Sequence, residues 1–278
     1  MSSQNRPGPN TAFWDARRGV IRTRKGGWRP GEGVFSHGYS MMDDLVGQAS
    51  YMQVMILNAT GRFPERRLAD WFDAIHICLS WPDPRIWCNH VGALGGTARA
   101  SAVAATTAGI LSSDSRTYGI RPLLAGVAFI QDALARHRAG ASAADIVTRE
   151  CAKHGGKPHV MGYARPLATG DERVVAMERY SRELGFTHGP HLQLAYAIHD
   201  HLNQRFAEGI NVNGYMSAFL SDQGFSPDDV YRTCAVLVTS GVTACFAEAR
   251  DNPAGAFLPL RCDDIDYQGK APRPVPEG

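Results

Sequence analysis

Apolar side chains recur every three to four residues almost everywhere after residue 33, the pattern of helices that bury one face. Over residues 66–81, Leu68, Phe72, Ile75 and Leu79 fall on a single stripe. An Ala-rich helix is predicted over residues 97–111, where small side chains permit close approach to a neighbour. Pro122 suits a first helical turn, where its missing N–H costs nothing, and opens a helix to about Arg138. Ser142-Ala-Ala-Asp145 approximates a capping box ahead of residues 146–153. Asp171-Glu172 place negative charge at the start of another helix, closed by Gly185 in a left-handed cap. Ser226-Pro227-Asp228-Asp229 starts a helix predicted to run from Val230 to Arg250. Residues 1–33, rich in Pro and Gly, read as an irregular N-terminal arm. No succession of alternating strands is legible, so the expected fold class is all-α, and a Rossmann-type enzyme using nicotinamide or flavin is disfavoured.

Composition narrows the class without naming a chemistry. With 278 residues, 44% hydrophobic and 20% charged, the chain has the balance of a soluble protein with a substantial core, in one domain or two intimate ones. A net charge of +2 with both signs interspersed gives no footprint for nucleic acid. The basic cluster of Arg17, Arg18, Arg22, Arg24 and Lys25 reads as a solvated arm, with a polyanion contact as the alternative. Cys78, Cys88, Cys151, Cys234, Cys245 and Cys262 form no C-x-x-C pair, and no charged-then-apolar leader opens the sequence; a cytoplasmic location with buried thiols is expected. No apolar run reaches membrane-spanning length.

Several motifs have a plain reading beside a chemical one. Gly92-Ala-Leu-Gly95-Gly96 follows no strand and lacks phosphate-loop spacing, so it is expected to be a turn leading into the Ala-rich helix. His199 and His201, two apart, point to different sides of a helix and cannot share a metal. His188-Gly-Pro-His191 has no Cys or carboxylate spaced to complete a site, and no metal is expected. Asp263, Asp264 and Asp266 read as surface or interface carboxylates. The segment Met161-Gly162-Tyr163-Ala164-Arg165-Pro166, followed by Gly170-Asp171-Glu172-Arg173, carries two arginines beside a constrained loop running into a helix start. Guanidinium groups and free backbone N–H groups there suit an anionic ligand; surface ion pairs are the alternative.

Taken in order, these pieces resemble the citrate synthase family. Gly38-Tyr39-Ser-Met-Met-Asp-Asp-Leu45, then Ser50-Tyr51-x-x-Val54-x-x-Leu57, then Gly61-Arg-Phe-Pro64 resemble the family's opening. Asn89-His90 with Arg99 resembles its D-H-x-x-N … R segment, and residues 162–173 its G-F-G-H-R … D-P-R. Asn211-Val212-Asn213 resembles N-V-D, and Tyr267-x-Gly269 with Arg273-Pro274-Val275-Pro276 resembles the C-terminal Y-x-G … R-x-V-P. The short connection before Asn89-His90 is similar to the compact citryl-CoA lyase-like branch and to the lyase module of ATP-citrate lyase.

The resemblance implies an all-α homodimer. It implies a large domain from residues 34–112 and 211–278, and a small one from residues 113–210. It implies an acyl-CoA and a carboxylic acid as small-molecule ligands, with the coenzyme A thioester as substrate; the charge balance and the lack of a spanning apolar run already leave neither nucleic acid nor membrane as an expected partner. The reaction would make or break a carbon–carbon bond between the thioester and a 2-oxo acid; a non-catalytic acyl-CoA or carboxylate-binding protein, or a partner subunit of an enzyme assembly, is the alternative. Implied catalytic positions are His90, Arg165, Asn213 and Tyr118. Asn89, Arg99, Arg173 and Arg273 fall at substrate-binding positions, and Gly162, Tyr163 and Ala164 at positions that meet the coenzyme. The chain departs from the family where the chemistry is most demanding. Asn213 replaces the aspartate base and has no usable proton affinity. Arg165 replaces a carbonyl-polarising histidine and is a poor proton donor.

Overall fold

The computed structural model describes residues 11–164, 170–256 and 261–276. Along them run α1 (Ala12–Asp15), β1 (Gly26–Arg29), β2 (Gly33–Ser36), β3 (Tyr39–Ser40) and a wide helical turn, Met41–Leu45. Then follow α2 (Tyr51–Thr60), α3 (Arg66–Leu79), α4 (Trp87–Thr97), α5 (Ala102–Ser112), α6 (Ile120–Arg138) and α7 (Ala143–Ala152). After these come α8 (Glu172–Glu183), α9 (Pro190–Phe206), α10 (Val212–Asp222), α11 (Pro227–Thr233), α12 (Thr239–Asp251) and a short 3-10 turn at Cys262–Asp264. The architecture is helical, as the apolar period predicts. Backbone contacts divide it into two units, Met1–Asp73 and Ala74–Gly278.

The first unit carries the only sheet among the described residues, antiparallel with strand order β1-β2-β3. Its hairpin starts inside the segment expected to be irregular. Gly31 and Gly33 adopt positive φ at the turn, which lets Trp28 pair across from Val34. Ser50 and Gln53 close both halves of a capping box on α2, and Gly61 ends that helix with φ +84°.

In the second unit α4, α5 and α12 pack on one another along bare backbone. A Cβ on Gly92 would stand 2.8 Å from the Val242 carbonyl oxygen, and one on Gly96 would stand 2.9 Å from Ala249 Cβ, both in α12. A Cβ on Gly109 of α5 would stand 2.8 Å from the Cys88 carbonyl oxygen. The glycines expected to form a turn therefore lie inside α4, because this seam leaves no room for side chains. The predicted helix over residues 97–111 is correspondingly split: α4 ends at Thr97, and Ser101 caps a separate α5 by accepting the Ala104 N–H.

A second group of helices, α6, α9 and α10, packs around Ile130, Ile198, Leu202, Tyr215 and Phe219, all buried. The capping box at Ser142 and Asp145 forms as expected on α7. The helix predicted from Val230 to Arg250 is broken, with α11 ending at Thr233 and α12 starting at Thr239. Val236 and Val238 are poor helix formers, and Val238 packs on Cys88 and Val242 instead of extending α11.

Gly96→Ala tests the seam. Alanine is the better helix former by about 1 kcal/mol in an open helix, yet here its methyl meets α12. The expected outcome is a net loss of about 1–3 kcal/mol from overpacking, read by urea unfolding; a gain in stability would contradict the packing described.

Candidate functional site

The start of α10 is fastened to the segment of Gly162, Tyr163 and Ala164. Asn211 caps the helix, its Oδ1 accepting the N–H groups of Asn213 at 2.9 Å and Gly214 at 3.1 Å. Its Nδ2 donates to the Ala164 carbonyl at 2.7 Å, and its backbone N–H to the Gly162 carbonyl at 3.0 Å. The backbones touch: a Cβ on Gly162, where φ is +87°, would stand 2.6 Å from Gly214 Cα. Ile210 N–H donates to His199 Nδ1 at 3.0 Å, which leaves the proton of a neutral His199 on Nε2.

Asp171 supplies the second fastening. Its side chain is fully buried and accepts both arms of Arg173, Nε and Nη2, at 2.8 Å each. The same carboxylate accepts the Val212 N–H at 2.8 Å and caps α8 through the Arg173 N–H at 3.1 Å. Burial pushes the carboxyl upward, but the hydrogen bonds from Arg173 and Val212 outweigh it and hold Asp171 below the usual carboxylate range.

The sequence-derived positions fare differently. Arg165 lies outside the described residues. Asn213 sits half-buried on the first turn of α10, and Ser217 Oγ donates to its Oδ1 at 3.1 Å. Arg173 is mostly buried, with its fork closed on Asp171, so Nη1 is the corner that holds no hydrogen bond among the described residues. Tyr118 packs on Trp87, and its hydroxyl lies 3.7 Å from Cys88 Sγ. Burial first, and then the Cys88 thiol, push the phenol upward, and the Arg173 charge acts on it in the opposite sense.

Other positions are occupied by structural duties. Asn89 is buried, and its Nδ2 donates to the carbonyls of Trp81 at 2.9 Å and Asp83 at 3.0 Å. Arg99 is exposed and donates to the carbonyls of Arg250 and Asn252, closing the end of α12. Tyr163 is a core residue whose hydroxyl donates to the Ala195 carbonyl at 2.9 Å. Ala164 takes φ +73° and donates its N–H to the Gly209 carbonyl. Arg273 lies in the exposed tail. His90 Nδ1 lies 3.1 Å from the Pro84 carbonyl, which can only accept, so Nδ1 carries the proton and Nε2 the lone pair. His90 is two residues from Cys88 on α4 and points to a different side of that helix from the Tyr118 contact.

His188 and His191 each face a carboxylate of their own. His188 pairs with Glu178, and His191 Nδ1 lies 2.8 Å from Asp222, which also accepts the N–H groups of His191 and Leu192 at the start of α9. No group of three or more His, Cys, Asp or Glu placed to hold a metal occurs among the described residues. No described helix is long and apolar enough to cross a membrane. Asp171 and Asn211 fall inside the motifs without a site role of their own there, and Ser217 lies outside them. Asn211 has a visible signal, an N-cap residue just before an apolar helix.

No family model and no curated protein matches the sequence. Solved structures match its fold. Citryl-CoA lyase from Hydrogenobacter thermophilus superposes with a TM-score of 0.77 at 21% identity, over 92% of this chain and 98% of that one. ATP citrate lyase from Methanothrix soehngenii, in complex with citrate and coenzyme A, gives 0.73 at 15% identity over 95% of this chain and 45% of that one. Citrate synthase from Thermoplasma acidophilum, with carboxymethyl coenzyme A and oxaloacetate, gives 0.56 at 14% identity, over 82% and 59%. The chain has the citrate synthase fold.

Asp171→Ala removes the acceptor for a buried guanidinium and is expected to cost about 3–5 kcal/mol, measured by chemical denaturation. Because the folded carboxyl titrates below its unfolded value of about 3.9, its stabilisation is present above that pH and is lost as pH falls through the lower folded value. The stability gap between the native protein and Asp171→Asn should therefore close in acid. A gap independent of pH would contradict the buried ion pair.

Proposed function

We propose that this protein binds an acyl-CoA thioester together with a carboxylic acid and makes or breaks a carbon–carbon bond between them. The observation that carries this reading is the junction of Asn211, Asp171 and Arg173, which presents Asn213 beside the glycine-lined loop, in a fold whose solved examples hold coenzyme A, citrate or oxaloacetate. In this reading Asn213 and Tyr118 donate hydrogen bonds to acyl oxygens, and the remaining corner of Arg173 faces a carboxylate. Arg165 would add a fixed positive charge.

One observation favours a second reading, binding without turnover: an amide at position 213 cannot deprotonate a thioester, and a lost general base costs a factor of about a hundred to ten thousand in rate.

The same reading seats a second copy of the chain on α5. That helix carries no charged residue, yet Val103 is 77% and Leu111 70% exposed, with Trp87 and Leu94 exposed on α4. An apolar face of this kind marks an interaction surface.

Incubation with citryl-CoA, and separately with acetyl-CoA plus 2-oxo acids, followed by free thiol and product mass, tests turnover. Thermal stabilisation by CoA esters without product supports the binder, and no shift with any CoA ester would sink both readings. Asn213→Asp is expected to raise condensation of acetyl-CoA with oxaloacetate by about a hundredfold or more. Leu111→Glu is expected to yield monomers in sedimentation, where the native chain sediments as a dimer.

A further inference from the structure

Asn213 and Ser217 stand one turn apart on α10, facing α6. The Ser217 hydroxyl donates to Asn213 Oδ1 at 3.1 Å, and Ser217 is only 1% exposed. The pair is accommodated by Gly126 of α6, where an added Cβ would stand 2.7 Å from Asn213 Oδ1 and overlap Ser217 Oγ. Ser217 has one proton to give, and Oδ1 receives it. The carbonyl half of the amide is thereby held against the protein, while the NH2 half of this half-buried side chain makes no hydrogen bond among the described residues.

From this geometry we infer that Ser217 is a positioning residue that makes Asn213 a fixed hydrogen-bond donor to an acyl oxygen. The inference rests on the thioester reading above and names the step that the pair would serve. An oriented amide stabilises negative charge on a thioester oxygen but does not remove a C–H proton. The enolate in this site then arises by C–C cleavage of a 3-hydroxyacyl thioester. The bond between the thioester α-carbon and the carbinol carbon breaks, and its electron pair enters the thioester as an enolate. The hydroxyl proton leaves to solvent and the carbinol carbon becomes a ketone; the enolate carbon then takes a proton from solvent.

The test uses the full chain with 15N-labelled asparagine, and CoA and acetyl-CoA as probes. In the free protein the Asn213 NH2 signal, identified by its loss in Asn213→Asp, should exchange readily with solvent. Protection in the native chain that disappears in Ser217→Ala would show the NH2 turned to Ser217 and overturn the inference. Ser217→Ala should weaken acetyl-CoA binding about threefold to tenfold and leave CoA binding unchanged. Equal weakening of both would mark Ser217 as merely structural. If neither probe binds, the thioester reading fails, and the amide exchange still decides whether Ser217 orients Asn213.

Discussion

A single buried carboxylate organises this structure around its site. Asp171 starts α8, receives the Arg173 fork and holds the first N–H of α10, so one charge ties together pieces of chain that are distant in sequence. A buried charge is tolerated only when its lone pairs are filled. The position of Arg173 relative to Asn213 is thus a consequence of satisfying Asp171.

Asn211 works in the same way with a neutral side chain. It satisfies two N–H groups of α10 and ties the loop at Ala164 to that helix. The motif that resembles N-V-D therefore contains one residue, Asn211, whose duty is architectural, and one, Asn213, whose side chain caps nothing in the helix. The architecture at the start of α10 thus depends on the side chain at 211 and not on the one at 213.

Much of the helical pattern is legible in the sequence because caps and apolar stripes are local. Ser142 with Asp145, Asp171, Gly185 and the stripe of α3 all act within a few residues of themselves. The glycines of α4 read locally as a turn because their cause is α12, far away in the chain and invisible to local propensity. The break after Thr233 escapes for the same reason, since Val238 answers to Cys88. In the site, residue types at 118, 173 and 213 are readable, but the partners that occupy Asn89 and Arg99 are backbone carbonyls, which no side-chain pattern reveals.

The bare seam among α4, α5 and α12 has a mechanical consequence. Helices that meet through glycine backbone and the short, branched Val242 side chain have few rotamers with which to absorb a displacement, so the packing resists sliding of one against another. Any partner seated on α5 would find a surface already stiff, and would lose little conformational freedom in holding it.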